Sequence, residues 1–248
     1  MQKGEKRKAE ILQVASTLFA QKGYRKTTLN DIIGAVGCSK GSFYHHFESK
    51  LQVLQAIAEQ HIHSDWTAYA AQSLPAGIAK LNRLLYYACP FRPGEEEHIA
   101  AQLALGMQQE GAVISAHIRD ARKAGFFAAL VGLLGDMKEM GLAHYHNECL
   151  PELLWDAHAA FLEAMMQESC RLVLSGGTPN SRLIEMLRAA RFQWERLIDL
   201  PYGSVEIIPA DEMLAVLGAA CTRVQAEEEQ LRFDAGFAAP CQQLGKPV

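Results

Sequence analysis

Between positions 39 and 50 the sequence SKGSFYHHFESK brings short hydroxyls, a lysine, a tyrosine and histidines close together. Ser39, Lys40, Ser42, Tyr44 and His45 carry donors suited to base edges and phosphate oxygens. Gly41 removes bulk where a backbone would approach a duplex closely. Phe43 and Phe47 give the same segment an apolar back that can anchor it. Lys50 precedes a helix whose first amides are free, which makes a phosphate site, and Thr27 and Thr28 are placed to do the same one helix earlier. This is the chemistry of binding a polyanion.

Three helices must position these groups. A first helix is expected over about Glu5–Gln21, with Ile11, Ala15, Leu18 and Phe19 on one face, ended by Lys22-Gly23. Thr28-x-x-Asp31 reads as the N-cap and first-turn acid of a second helix, which Gly37 stops after about two turns. Ser39 caps a very short third helix, Lys40 to about His46. Ser49-x-x-Gln52 reads as a capping box opening a fourth, with Leu51, Leu54, Ala58 and Ile62 as its buried stripe to about Tyr69. Two short helices around a Gly-containing turn, flanked by longer ones, is helix-turn-helix architecture.

The stretch TTLNDIIGAVGCSKGSFYHHFESKLQVLQAI resembles the DNA-binding signature of the tetracycline-repressor (TetR) family. The shared features are the Thr pair, Asp31-Ile32, the Gly37–Ser39 turn, Gly41, Phe43-Tyr44, His46-Phe47 and Lys50-Leu51, with Phe19 and Gly23-Tyr24 before them. The resemblance covers about the first 55 residues. It implies that Lys40 and Ser42 face base edges. It further implies that Tyr44, His45, Lys50 and the Thr27/Thr28 helix end contact phosphates, with Gly41 permitting close approach. His46 matches a position that both packs and nears the backbone, and Cys38 one usually filled by a small aliphatic.

Charge is distributed to match. Residues 1–50 hold nine of the 24 Lys/Arg and four of the 28 Asp/Glu, so a basic head precedes an acidic remainder and the net charge is −4. One end of the molecule is therefore drawn to phosphate and the rest repelled from it. No apolar run approaches a membrane span, and the charged N-terminus lacks a secretory core, so a cytoplasmic protein is expected. The six cysteines show no CxxC or disulfide-framework spacing and read as reduced thiols.

The remainder reads as helical, with no strand signal longer than Ser204–Ile208. The expected fold is all-α: a three-helix head (1–50), a fourth helix leading into a helical ligand-binding and dimerisation bundle (51–234), and a flexible tail (235–248). Helices are expected over about Ile78–Ala88, Glu95–Gln109, Ala112–Met140, Pro151–Leu174, Pro179–Ile198 and Pro209–Glu229. The Pro151–Leu174 helix is apolar on more than one side. That pattern fits burial within one subunit or a two-fold interface, and the dimer is favoured because a palindromic site needs one. Leu154, Phe161, Met165, Leu172, Leu187 and Trp194 are its expected contacts.

Aromatic and Met side chains mark a region for a small-molecule effector: Trp66, Tyr69, Tyr86, Tyr87, Met107, Phe126, Phe127 and Met137. The same stripe also reads as core. His144, His146 and Cys149 lie together, but His-x-His lacks the spacing that stacks two ligands on a helix face, so a polar loop is expected there and no metal or cofactor. No phosphate loop, nucleophile elbow, HExxH or facing carboxylate pair is present, which leaves a helical enzyme without catalytic residues. The expected function is a homodimeric transcriptional repressor, released from a palindromic operator in double-stranded DNA by an effector. The alternative is a DNA-bound regulator with no small ligand.

Overall fold

The computed structural model describes residues 3–108 and 111–234; the expected tail at 235–248 and Cys241 lie outside the described residues. Ten helices are present there, and no strand: α1 Lys3–Lys22, α2 Leu29–Val36, α3 Lys40–Tyr44, α4 Lys50–Ala70, α5 Ile78–Ala88, α6 Glu96–Gly106, α7 Gly111–Glu139, α8 Leu150–Ser175, α9 Ser181–Leu197 and α10 Ala210–Asp234. The chain is all-α, as the patterning implied.

The head is closed by local chemistry. The Thr28 hydroxyl accepts from the Asp31 amide at 3.1 Å while the Asp31 carboxylate accepts from the Thr28 amide at 2.8 Å. A reciprocal pair of this kind satisfies two of the donors a helix start leaves open. Gly37 ends α2 with φ at 66°, a left-handed conformation that a side chain resists, and so turns the chain into α3. The Ser39 hydroxyl caps α3 by accepting from Ser42 N. At α4 the Ser49 hydroxyl accepts from Gln52 N, but the Gln52 side chain accepts from Glu48 N rather than Ser49 N, so the capping box closes one residue early. Ile11, Ala15, Phe19, Ile32, Phe43, Phe47 and Val53 fill the core behind these caps.

α4 leaves the head and packs against α5 and α7, while α6 lies among α1, α7, α8 and α10. α8 is surrounded by α6, α7, α9 and α10. This explains its all-round apolar pattern. Leu154, Met165 and Leu172, with Leu187 and Trp194 of α9, are buried inside the subunit. Their assignment to a dimer interface is therefore corrected: the helices packed on α8, and α8 and α10 packed on α9, already cover them. Phe161 alone of that group remains partly exposed.

The extended stretch 204–208 is a buried loop. Val205, Ile207 and Ile208 are fully covered, and side chains replace the missing strand partner. Glu195 accepts from Val205 N at 3.0 Å, Arg191 donates to Val205 O, and Asn82 bonds both Ser204 O and Glu206 N.

The last turns of α10 reach the head. Glu228 pairs with Arg25, Asp234 lies 3.7 Å from Lys26, and Arg223 joins Glu97 of α6 at 2.6 Å while reaching the Phe19 carbonyl at 3.4 Å. Gly23, at φ 80°, lies so close to the Glu227 carboxylate that a side chain there would collide with it. The α1–α2 turn is thus held against the body by the end of the last described helix.

Candidate nucleic-acid interface and buried cavity

The outer face of the head collects most of the residues expected there. Lys40, Gly41, Tyr44, His45, Thr28 and Ser39 are exposed, and Ser42 is half-buried. Tyr44 is 51% exposed, unusual for an aromatic, because its ring stands edge-on against Phe43 while Phe43 itself is fully buried. Lys40 makes no ion pair with the described residues, and a side chain built at Gly41 would meet open space. The α3 face is therefore unobstructed and carries a cation available to a ligand.

Thr27 and Lys50 do other work. Thr27 is fully buried and its hydroxyl donates to Gly23 O at 2.8 Å, so its expected phosphate contact is corrected: the side chain closes the α1–α2 turn. The Lys50 ammonium donates to the carbonyls of Tyr24 at 2.7 Å and Thr27 at 3.0 Å and sits 4.2 Å from the Tyr24 ring. Burial pushes its pKa down. Its charge supports the same turn. Thr28 remains exposed, but Asp31 holds its amide, and that hydrogen bond lowers the Asp31 carboxyl to about 2. At α2 a phosphate would meet Leu29 and Asn30 amides beside an ionised acid.

The body holds a cavity of about 70 Å³ between α6, α7 and α8. Its walls are single stripes of each helix: Ser115, Ile118, Arg119 and Arg122 on α7, and Trp155, His158, Leu162 and Met166 on α8, with Gln102 from α6. None of the eight aromatic and Met residues expected to form a pocket lines it. Trp66, Tyr69 and Phe126 pack on one another with ring centroids 5.7–6.3 Å apart, Tyr86 bonds Glu212, Met137 is fully buried, and Met107 is packed against the core. Tyr87 stands edge-on to Tyr86, and Phe127 lies behind Trp155. Tyr69, Phe126 and Met137 are core, and the other five are partly buried and packed against it, so their apolar surface is taken up by packing.

The missed residues are polar ones on apolar helices. Gln102, Arg122, Trp155 and His158 are all at least nine-tenths buried. Seven buried side-chain polar atoms lack a partner among the described residues, and four of them belong to residues that line this cavity: Gln102 Nε2, Trp155 Nε1 and both His158 nitrogens. Burial drives the His158 pKa to about 3, so its ring is neutral. Arg122 donates to Ala88 O at 2.6 Å and has no carboxylate within ion-pair distance among the described residues; burial lowers its pKa, opposed first by Asp65. Gln102 and His158 carried a sequence signal, each a polar residue in a segment otherwise rich in Leu, Ala and Phe; Arg122, beside Arg119, Asp120 and Lys123, carried none.

α6 joins the cavity to the head. One turn before Gln102, His98 stacks on His61 of α4 at 4.6 Å and 4°. His61 Nδ1 lies 2.9 Å from the Glu95 carboxylate, and that bond raises its pKa, whereas burial takes His98 down to about 3. Beside them Arg92 pairs with Asp65 of α4. No group of three or more His, Cys, Asp or Glu suited to a metal occurs among the described residues, and no described helix is long and apolar enough to cross a membrane.

Comparison with known proteins agrees on the head. Residues 11–57 match the family model described as bacterial regulatory proteins, tetR family. The HTH-type transcriptional repressor KstR2 of Rhodococcus jostii is 49% identical over 51 residues, which is 21% of this chain and 25% of the relative. The HTH-type transcriptional regulator TtgR of Pseudomonas putida is 24% identical over 139 residues, covering 47% of this chain and 63% of that protein. The chain spans about a quarter of the length of the KstR2 relatives it matches. Salmonella enterica GusR superposes with a TM-score of 0.51 at 20% identity, over 80% of this chain and 98% of that one, so the fold extends beyond the head. The chain carries the N-terminal domain of the tetR family of bacterial regulatory proteins.

Proposed function

We propose that this protein is a cytoplasmic transcriptional repressor that binds a palindromic operator as a homodimer and is released by a small molecule held in the body. The observation that carries the reading is the α3 face: Lys40, Ser42, Tyr44 and His45 stand outward on a helix capped at Ser39, at the basic end of the chain, with Lys40 outside any ion pair among the described residues. A short helix presenting such groups fits a major groove, and a two-fold pair of them fits half-sites one turn apart.

A second copy of this chain is the partner. With the earlier contacts buried, the exposed large apolar residues left on the α8–α9 pair are Leu174 (66% exposed), Leu153 (55%), Phe192 (51%) and Leu197 (41%), with the partly exposed Phe161 and the exposed Ala160 and Ala189 on the same helices. Small and aromatic residues on two adjacent helices suit a self-complementary four-helix contact. Repression follows the KstR2 relatives, which are repressors by name. The orphaned polar atoms in the body favour an effector over the alternative of a regulator with no ligand, because buried polar groups are ordinarily paired. A ligand that reorders α6 displaces the His98–His61 stack and so α4, whose first residue Lys50 ties down the α1–α2 turn.

Selection of bound genomic fragments by the purified protein tests this. Enrichment of an inverted repeat with half-sites about one helical turn apart supports the reading. Enrichment of no sequence over random DNA overturns it.

A further inference from the structure

We infer that the cavity between α6, α7 and α8 takes a small, largely apolar carboxylic acid, its carboxylate on Arg122 and its hydrocarbon part against Ile118, Leu162 and Met166. The inference rests on the reading of the body as an effector-binding unit and supplies the ligand's chemistry. It starts from the direction of the unmade hydrogen bonds. The Trp155 indole nitrogen and the Gln102 Nε2 amide are donors, and neither has a partner among the described residues. A neutral His158 brings one further N–H and one acceptor nitrogen, so three of the four unmade bonds belong to donors. Arg122 presents five N–H groups, of which the described bonds engage one group, at Ala88 O.

Charge points the same way. A buried guanidinium without an adjacent counterion is costly, and Asp65, the acid that supports Arg122 most, is in contact with Arg92 instead. The one acid on the cavity wall, Glu163, lies at the rim, 44% exposed, 3.9 Å from Arg119 across α7 and α8. Inside that rim the wall is cationic and donor-rich. A carboxylate supplies four lone-pair sites and matches the planar fork of an arginine. Isolated water would satisfy the donors but not the charge. The remaining wall is apolar, and about 70 Å³ admits a compact acid rather than a long chain.

The test is calorimetric titration of the full-length protein with acetate and propionate, and with acetamide and propionamide as neutral counterparts of the same shape. The expected result is saturable binding of an acid at least about tenfold tighter than its amide, as a charge-assisted bond provides. Arg122→Gln is expected to erase that preference while leaving residual apolar binding. Should Arg122→Gln fail to fold by circular dichroism, Trp155→Phe and Gln102→Leu decide instead, each lowering acid affinity severalfold. Equal binding of acid and amide, an undiminished preference in the variants, or no saturable binding of either acid at millimolar concentration overturns the assignment. A parallel duplex-binding measurement keeps the two readings apart. Acid binding by a protein with no affinity for any duplex supports this site and sinks the repressor; operator binding with no acid bound does the reverse.

Discussion

The head and the body handle buried polarity in opposite ways. Through the head, hydroxyls and charges are turned onto the backbone: Thr27 on Gly23, Ser39 on Ser42, Ser49 on Gln52 and Lys50 on Tyr24 and Thr27. Every orphaned buried side-chain atom among the described residues lies beyond residue 97. A satisfied network rigidifies the element it closes, and an unsatisfied one destabilises the empty protein until something fills it. The head is therefore built to hold one surface, and the cavity to accept a group the chain does not supply. α6 and the end of α10 are what the two share.

The comparison breaks most visibly where packing alone carries the head. Phe43 is fully buried beneath the recognition face, and Phe43→Ala is expected to lower stability by about 3–5 kcal/mol in chemical denaturation. A loss below about 1 kcal/mol would mean that the head is held by its caps instead.

Acid sharpens the contrast. His98 and His158 are taken to about 3 by burial, below the ordinary 6.5, so the folded state keeps them neutral while the unfolded chain protonates. Their contribution is intact above pH 6.5 and falls as pH drops toward 3, by about 1.4 kcal/mol per pH unit for each ring. His61 acts in the opposite sense, since Glu95 raises its pKa: it helps below its unfolded value and stops helping as pH rises through the folded one. Denaturation curves between about pH 7 and 4.5 should show steep loss. His158→Leu should halve the part due to the two buried rings.

At neutral pH the same His158→Leu substitution is expected to stabilise the empty protein by about 1–3 kcal/mol, because it removes two unpaired buried nitrogens. Destabilisation would show that the ring is held by partners and is not waiting for one. In the head the sign reverses: Thr28→Ala removes the reciprocal cap with Asp31 and should cost about 1 kcal/mol.

The head was legible because its signals are local. Thr28 to Asp31, Gly37, Ser39 and the Phe43/Phe47 pair each fix geometry within a few residues, and the structure places α2, α3 and α4 where those caps require. Lys50 and Thr27 were misread because their partners lie in the α1–α2 turn, 23 to 26 residues before Lys50 and four before Thr27, and a sequence does not reveal whether a cation faces solvent or carbonyl. The body's helices were readable from periodicity, but not which faces meet. Leu154, Met165 and Trp194 look alike whether they face a neighbouring helix or a second subunit, and α10, by packing on α6 and α8, decided the question. The cavity is not legible in the sequence because helical periodicity does not tell whether a polar side chain faces solvent or a gap between helices. Its mark was Gln102 and His158 in apolar segments, whereas Arg122, among Arg119, Asp120 and Lys123, reads as one more surface charge.

Binding of duplex DNA by the α3 face is what distinguishes this protein from a helical bundle with a basic end. The direct measurement is fluorescence anisotropy of the purified protein with the DNA upstream of its own gene and with random duplex, over a salt series, for wild type and Lys40→Ala. The expected result is tight, saturable binding to one of these or to a selected operator, weakening steeply as salt rises, and lost or reduced at least about tenfold in Lys40→Ala. No affinity for any duplex at low salt, or binding that Lys40→Ala leaves unchanged, would contradict it.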